Sequence, residues 1–299
     1  MNAERDARVR VNALVEALPY VQRWAGRTVV VKFGGSAMVR TELLEALVDD
    51  LVLLRAVGVR VVLVHGGGRA VSEMGRRLGL EPRFVDGLRI TDTQTMRVAQ
   101  QVQIGGISRD IVALIGRRGG RAVGLSGHDL GGWLRATVRT HTSAETGAPV
   151  DLGRVGDVSE VNGAVLTDVL AAGVIPVVAP VAVDADFGSL NVNADTVATA
   201  VARSLTASRL LFLTDVPGIR GPDGEVASTV SAEALRTWME NGTVSGGMIP
   251  KAEACLSALE AGVAGVTVAD GTREHAVLLE LLTDAGVGTM VCLDAGEEG

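Results

Sequence analysis

The sequence has 299 residues, of which 47% are hydrophobic, and its 28 lysines and arginines against 35 aspartates and glutamates give a formal net charge of −7. At roughly 150 residues per domain, this length predicts two domains or one large α/β unit, with a core that needs no disulfide or structural metal. The mildly acidic balance argues against a nucleic-acid partner. No apolar stretch approaches the ~18 to 20 residues that a bilayer requires, so we expect no membrane segment.

Cysteine usage and the first residues favour the cytoplasm. Cys255 and Cys292 lie in apolar runs far from any CxxC pairing, which predicts buried free thiols rather than a disulfide or a zinc site. No secretory signal is evident in the first 25 residues. We therefore expect a cytoplasmic protein.

Apolar periodicity predicts an N-terminal helix and then alternating strands and helices. Over residues 9–24 apolar side chains recur at steps of three and four, and the apolar run at 28–33 predicts a strand buried on both faces. Such alternation specifies a mostly parallel sheet with helices on both faces and ligands at the carboxyl ends of the strands. Residues 181–189 are a candidate crossing between two lobes. Further helices are predicted at 42–57, from about 70, at 94–117, 196–205, 232–240, 251–261 and 275–282, hairpins through 158, and strands at 59–64, 122–125, 174–183, 210–213 and, as the last one, 265–268.

Two glycine turns follow directly after apolar strands, Gly34-Gly35 after the first strand and residues 66–68 after the second. Glycine lets the backbone approach a ligand closely, and N–H groups at a helix start favour an anion, so two such turns could grip a polyphosphate from two sides. Neither turn matches a dinucleotide or P-loop motif. Each could also be only a tight turn between a strand and a helix.

The chain contains two lysines, Lys32 and Lys251, and each lies beside a glycine-rich turn. Lys32, within an apolar run, would be costly to desolvate unless it emerges at the strand end beside an anion. A lysine is a compact charge suited to a transferring phosphoryl group. Lys251 could alternatively be a solvated residue that opens a helix.

Nine motifs, colinear and with compatible spacing between about residues 28 and 291, resemble the N-acetyl-L-glutamate kinases of the amino acid kinase family. The resemblance implies an α/β fold, a three-layer αβα sandwich with an open, mostly parallel sheet. It divides the chain into an oligomerisation helix over 1–25, an amino-acid-binding N-lobe over 26–183 and a nucleotide-binding C-lobe over 184–299. The motifs are KFGGSAM, VHGGG, FVDGLRITD, AVGLSGHD, DLGRVGDV, LNVNADTVA, LLFLTDVPGI, GGMIPK and DAGVGTMV.

Carried over position by position, the resemblance implies ATP-dependent phosphorylation of the γ-carboxylate of N-acetyl-L-glutamate, the second step of arginine biosynthesis. Catalysis would rest on Lys32 and Lys251, with Asp195 holding both lysines. ATP would carry Mg²⁺, so no metal site on the protein is expected. The substrate would be bound by Gly67, Gly68, Arg89, Asn191 and Asn193, and the nucleotide by Gly34, Gly35, Thr214, Asp215 and Lys251.

The implied reaction needs no general base, because a side-chain carboxylate of pKa ~4.3 is already ionised at neutral pH. The histidines are scattered, which favours structural or surface roles for His65, His128, His141 and His275. Unusual residues at the pocket rim, such as Arg69-Ala70 after VHGGG, leave two alternatives open. The chain could be a paralogous kinase for another N-blocked acidic amino acid, such as an N-acyl-2-aminoadipate, or a non-catalytic amino-acid sensor.

The apolar stripe of the N-terminal helix would be exposed on a lone subunit, so we expect it to pack against another subunit. In arginine-inhibited kinases that this chain resembles, such a helix interlaces dimers into a homo-hexamer, a trimer of dimers, and arginine binds between the helix and the C-lobe. The resemblance places Tyr20, Glu280 and Gly286 at that allosteric site. Thr267 and Thr272 differ from the usual residues there, which predicts weaker inhibition.

Overall fold

Helices alternate with strands through the computed structural model, which describes residues 2–284 and 286–293. The predicted helices are present, with bounds within about two residues of the predicted ones, except that the N-terminal helix begins at Asn2, well before the predicted start at residue 9. The long helix predicted over 94–117 is continuous, but it winds as a π-helix over Gln101–Ser108. No helix in the described ranges is both long and apolar enough to cross a membrane. The α-helices are α1 (Asn2–Trp24), α2 (Thr41–Ala56), α3 (Gly68–Arg77), α4 (Thr93–Gln100), α5 (Arg109–Arg117), α6 (Gly163–Ala171), α7 (Ala194–Ser204), α8 (Ala232–Glu240), α9 (Ile249–Glu260) and α10 (Ala276–Leu282).

The other strands predicted from long apolar runs are present, but the single strand predicted over 174–183 is wrong: residues 175–178 and 181–183 form two strands that belong to different sheets, so an unbroken apolar run hides the break between them. The prediction that the strand at 265–268 is the last one is wrong, because residues 288–292 form a further strand. This strand pairs antiparallel with the strand at 266–270. Because it is only partly buried, it lacks the continuous apolar run of a central strand. The strands are β1 (Thr28–Phe33), β2 (Arg60–His65), β3 (Phe84–Val85), β4 (Leu88–Arg89), β5 (Ala122–Leu125), β6 (Leu134–Val138), β7 (His141–Thr142), β8 (Pro149–Val150), β9 (Gly156–Val161), β10 (Ile175–Val178), β11 (Val181–Val183), β12 (Ser189–Asn191), β13 (Arg209–Thr214), β14 (Thr229–Ser231), β15 (Val266–Asp270) and β16 (Gly288–Cys292).

An eight-stranded sheet forms the centre of the molecule, in the order β14-β16-β15-β13-β1-β2-β10-β5. Its neighbouring strands run parallel, except for the antiparallel pair of β15 and β16. Alternate side chains of each strand enter separate cores. Val29 and Val31 pack under α2, α5 and α10, whereas Val30 packs on the opposite face under α6 to α9. These layers form the predicted three-layer αβα sandwich with a mostly parallel sheet.

A four-stranded sheet, β12-β11-β6-β9, and two hairpins, β3–β4 and β7–β8, complete the fold. The candidate crossing at residues 181–189 belongs to a hairpin, because β11 pairs antiparallel with β12 within this smaller sheet. The Asp184 carboxylate closes its turn by accepting the Gly188 N–H at 2.7 Å. The lobe boundary between residues 183 and 184 stays a prediction, and residues 285 and 294–299 of the predicted C-lobe lie outside the described residues.

Candidate functional site

Lys32 and Asp195 meet at the carboxyl end of β1. Because side chains alternate along a strand, Lys32 shares the face of Val30 and points toward α7. Its Nζ lies 2.8 Å from Asp195 Oδ1, and the two side chains are 13% and 24% exposed. The contact is an ion pair without hydrogen-bond geometry. An ammonium group, fixed by a carboxylate yet open to solvent, can therefore face an anion at the sheet edge.

The first glycine turn lies directly against this ion pair. A Cβ added to Gly34 would lie 2.7 Å from the Lys32 Nζ, so a side chain at position 34 would displace the ammonium group. Gly35 has a φ of +74°, in the left-handed region that glycine favours, and it borders the exposed Asp215 carboxylate. Asp215 Oδ1 accepts a hydrogen bond from Thr214 Oγ1 at 3.3 Å, at the end of β13. The first glycine turn, which carries the predicted nucleotide contacts Gly34 and Gly35, thus lies close to Asp215, a third predicted contact.

The second glycine turn, after β2, is held to the β3–β4 hairpin by Arg89. Arg89 Nη2 donates to the Gly68 carbonyl at 2.7 Å and to Ser72 Oγ at 2.6 Å, both in the first turns of α3. Its guanidinium also lies over the Phe84 ring, 4.7 Å from the centroid. The first N–H groups of α3 have no partner within the helix, as at any helix start, and they favour an anion. Arg89 therefore lies against the start of α3.

Asn191 and Asn193 lie directly before the start of α7. Asn193 caps this helix, because its Oδ1 accepts the Asp195 N–H at 2.7 Å and the Thr196 N–H at 3.3 Å. Asn191 Nδ2 donates to Thr91 Oγ1 at 3.3 Å. The cap places Asp195 in the first turn of the helix, next to Lys32.

A cleft of about 440 Å³ separates the β3–β4 and β7–β8 hairpins from α7 and α9. At its hairpin side, the Asp86 carboxylate accepts from His141 Nε2 at 2.7 Å and from the Ala144 N–H at 2.8 Å. These hydrogen bonds, the Ala144 one first, lower the pKa of Asp86. The cleft is lined on its other side by Asn193 and Asp195. One carboxylate thus links the two hairpins at one side of the cleft.

Lys251 lies half-buried in the first turn of α9. Among the residues that the structure describes, no ion pair of 4.0 Å or less joins Lys251 to Asp195. Both groups nevertheless act on the buried Cys255 thiol. Burial and then the Asp195 charge raise the pKa of this thiol, whereas the Lys251 charge lowers it. The predicted contact of Asp195 with Lys32 is therefore present, and its contact with Lys251 stays a prediction.

A second cavity, of about 530 Å³, lies under the end of α1 and brings together all three residues predicted for arginine. The Tyr20 hydroxyl donates to the Asp284 carboxylate, which raises the pKa of Tyr20. Glu280 accepts from Thr267 Oγ1 at 3.1 Å and from the Val287 N–H at 3.0 Å. A Cβ on Gly286 would lie 3.4 Å from Glu280 Oε2, so a larger residue would crowd that carboxylate.

Three neighbours of these sites were not predicted from the sequence. Ser72 binds Arg89, and only its position one turn after Gly68 could have indicated this contact. Arg209 lines the cavity under α1, 94% buried, but it stands at the edge of an apolar run and gave no signal. His65 is a titratable residue just before a glycine turn, the same signal that singled out Lys32.

Known proteins match this chain over almost its whole length. An acetylglutamate kinase from Symbiobacterium thermophilum is 47% identical over 291 residues, covering 96% of this chain and 99% of that protein. An acetylglutamate kinase from Methanothrix thermoacetophila is 47% identical over 281 residues, covering 93% and 96%. Carbamate kinase from Giardia lamblia bound to AMP-PNP shares the fold, with a TM-score of 0.66 at 16% identity over 90% of this chain and 99% of that one.

The crystal structure of N-acetylglutamate synthase from Neisseria gonorrhoeae, complexed with coenzyme A and N-acetyl-glutamate, has a TM-score of 0.82 at 28% identity. The match covers 95% of this chain but only 64% of the synthase, so this chain corresponds to part of that protein. Residues 27–270 match the amino acid kinase family. This match confirms the resemblance predicted from the motifs, and the chain belongs to the amino acid kinase family.

Proposed function

We propose that this chain transfers the γ-phosphoryl group of ATP to the γ-carboxylate of N-acetyl-L-glutamate, which yields N-acetyl-L-glutamyl 5-phosphate in the second step of arginine biosynthesis. The observation that carries the proposal is the Lys32–Asp195 ion pair, set against glycine turns at one edge of the sheet. The 47% identity to an acetylglutamate kinase over almost the whole of both chains supports this substrate.

The residues at the sheet edge supply what phosphoryl transfer requires. The acceptor carboxylate is ionised at neutral pH, so catalysis consists of positioning the reactants and stabilising charge. Lys32 stabilises the transferring phosphoryl group, and Asp195 holds the lysine in place at 2.8 Å. Lys251 supplies a second positive charge from α9, on the same face of the sheet.

The amino acid is bound between the second glycine turn and α7. Gly67 and Gly68 offer N–H groups to its carboxylate, and Arg89 grips the α-carboxylate through its planar fork. Arg89 already lies beside this turn, with Nη2 2.7 Å from the Gly68 carbonyl. Asn191 and Asn193 read the acetamido group from the opposite side. The pocket is thus built around both ends of an N-blocked dicarboxylic amino acid.

The nucleotide is bound by the first glycine turn and the end of β13, through Gly34, Gly35, Thr214, Asp215 and Lys251. ATP enters as its magnesium complex, because phosphoryl transfer from ATP uses a metal ion that bridges the phosphate oxygens. The N-lobe over 26–183 then holds the amino acid and the C-lobe over 184–299 holds ATP. The burial of Cys255 and Cys292 is compatible with a reducing cytoplasm.

The cavity under α1 is proposed to bind arginine as a feedback inhibitor. Its lining carries carboxylates, Glu280 and Asp284, for a guanidinium and an ammonium group, and Arg209 for an α-carboxylate. A cationic amino acid therefore matches its charges. An N-acetylglutamate synthase from Neisseria gonorrhoeae, with a TM-score of 0.79 at 26% identity over 95% of this chain and 66% of that one, was crystallised with L-arginine.

A hydroxamate assay for acylphosphate tests the reaction and the substrate together. We expect ATP-dependent product with N-acetyl-L-glutamate, and at least tenfold lower kcat/KM with N-acetyl-L-aspartate and N-acetyl-L-2-aminoadipate. K32A serves as the inactive control. A preference for the aminoadipate would identify the paralogous kinase. Calorimetric binding of the amino acid without any turnover would identify a sensor.

A further inference from the structure

His65 is a buried titratable residue that the proposed phosphoryl transfer does not use. It is the last residue of β2, directly before the second glycine turn, and its side chain is fully buried. By strand alternation it lies on the face of Leu63, which is opposite to the face of Lys32 and Val64. The imidazole therefore packs behind the turn, away from the Lys32–Asp195 ion pair.

The imidazole has one hydrogen-bond partner in the described part of the chain, the carbonyl of the next residue. Its Nδ1 lies 2.7 Å from the Gly66 oxygen, and its Nε2 is buried without a partner. Because a carbonyl can only accept, Nδ1 must carry the proton and Nε2 is unprotonated. Burial lowers the pKa of His65 to about 4, so the ring stays in this neutral form at physiological pH.

This hydrogen bond fixes the orientation of one peptide group in the turn. In a planar trans peptide, the C=O of one residue and the N–H of the next point in opposite directions. With the Gly66 carbonyl held toward His65 at 2.7 Å, the Gly67 N–H of the same peptide group points away from the ring. The Gly66 N–H is anchored as well, because it donates to the Phe33 carbonyl at 2.8 Å.

We propose that His65 is a positioning residue that orients the Gly67 N–H toward the reacting carboxylate and the transferring phosphoryl group. The inference rests on the proposed function, because it assigns Gly67 a role in that reaction. An N–H donor contributes to catalysis only when it is aimed at the place where charge develops. His65 therefore acts on the rate through the backbone, without touching the substrate.

Three substitutions separate this role from general packing. In H65N, the side-chain amide places an N–H donor at the position of Nδ1, whereas in H65Q the donor lies one carbon farther out, near Nε2. H65L has no donor. We expect H65N to keep kcat within about threefold of the wild type, and H65Q and H65L to lose about 10- to 100-fold. KM for both substrates should change less than about threefold in all three variants.

Crystal structures of the same variants provide a readout besides activity. We expect the Gly66 carbonyl to face residue 65 in H65N and to turn away in H65L. If H65Q does not fold, the comparison of H65N with H65L still decides. Wild-type kcat in H65L, an H65N variant as slow as H65L, or an unchanged Gly66 peptide in H65L would each overturn the proposal. A wild-type protein that forms no acylphosphate would refute the proposed function instead, and the peptide orientation would still test the role of His65.

Discussion

Lys32 owes its position to the alternation of side chains in β1. Val29 and Val31 enter one core, whereas Lys32 follows Val30 onto the other face and meets Asp195 at the strand end. The same alternation sends His65 to the face opposite Lys32, because Lys32 is the penultimate residue of β1 whereas His65 is the last residue of the neighbouring β2. A single step along a strand thus separates the charge that pairs with Asp195 from the ring that contacts the Gly66 carbonyl.

Replacing either lysine by alanine should lower turnover more than it weakens binding. We expect K32A and K251A each to lose more than ~100-fold in kcat, because their charge matters most as negative charge redistributes in the transition state. The KM values for ATP and N-acetyl-L-glutamate should change less. Steady-state hydroxamate kinetics measure both constants, with R77A, whose arginine is exposed on α3, as the control. Near-normal turnover in K251A would remove that lysine from the site.

Arg89 should contribute mainly to binding. In the proposed function its fork binds a carboxylate that does not react, so R89A should raise the KM for the amino acid by more than ~10-fold with a smaller change in kcat. R89K keeps the charge but loses the bidentate geometry, and it should lie between R89A and the wild type. An unchanged KM in R89A would place the α-carboxylate elsewhere.

Burial of His65 makes stability depend on pH. The folded-state pKa of about 4 lies below the ordinary value of 6.5, so the unfolded chain binds the extra proton between these values. The stabilisation is complete above pH ~6.5 and is lost as the pH falls through ~4, by about 3 kcal/mol. We expect the free energy of urea unfolding of the wild type to fall by this amount relative to H65N between pH 7 and pH 4. A pH-independent difference would contradict the burial of a neutral imidazole.

At the scale of elements, strands with long apolar runs could be predicted from the sequence. Very short strands, and strands whose position depends on pairing with a distant partner, could not. The apolar runs of β1 and β5 predict their strands with the observed bounds. The three-residue strands β12 and β14 are too short to show a period, and their pairing depends on partners distant in the sequence. The approach of Lys32 to Asp195, 163 positions away, followed only from the family resemblance. Arg209 in the second cavity followed from nothing in the sequence.

The link between the β3–β4 and β7–β8 hairpins should tune substrate affinity. Asp86 has a φ of +48° at the tip of the hairpin that carries Arg89, and it binds His141 and the Ala144 N–H. D86N keeps a residue that tolerates this backbone conformation but removes the charge. We expect D86N and H141Q each to raise the KM for the amino acid about three- to tenfold, with little change in kcat.

A double-mutant cycle distinguishes this link from separate contributions of the two residues. If the pair acts as a unit, the D86N/H141Q protein should have the same KM as either single variant. Additive increases would mean that each side chain affects the cleft independently, and the hairpins would then not be coupled through Asp86.

At the scale of the whole molecule, α1 is the element that one subunit leaves uncovered. Its inner end is fixed, because Trp24 is buried and its Nε1 donates to the Leu281 carbonyl at 2.8 Å. Its apolar stripe is open to solvent, with Leu14 73% and Val15 64% exposed. A stripe of this kind on a rigid helix fits a second copy of the helix. We therefore propose that α1 interlaces dimers into a hexamer.

Deleting residues 1–25 should yield an active dimer that no longer responds to arginine, because the deletion removes both the exposed stripe and the Tyr20 wall of the cavity. Light scattering gives the oligomeric state, and acylphosphate formation with added arginine gives the response. The variant L14E/V15E is the matched control, since it charges the stripe but leaves Tyr20 and Trp24 in place. We expect this variant also to form dimers and to keep the wild-type catalytic rate. Its inhibition by arginine should decrease only by the part that depends on contacts between subunits. If the intact protein is already a dimer, the interlacing model fails, and α1 then serves to close the cavity of its own subunit.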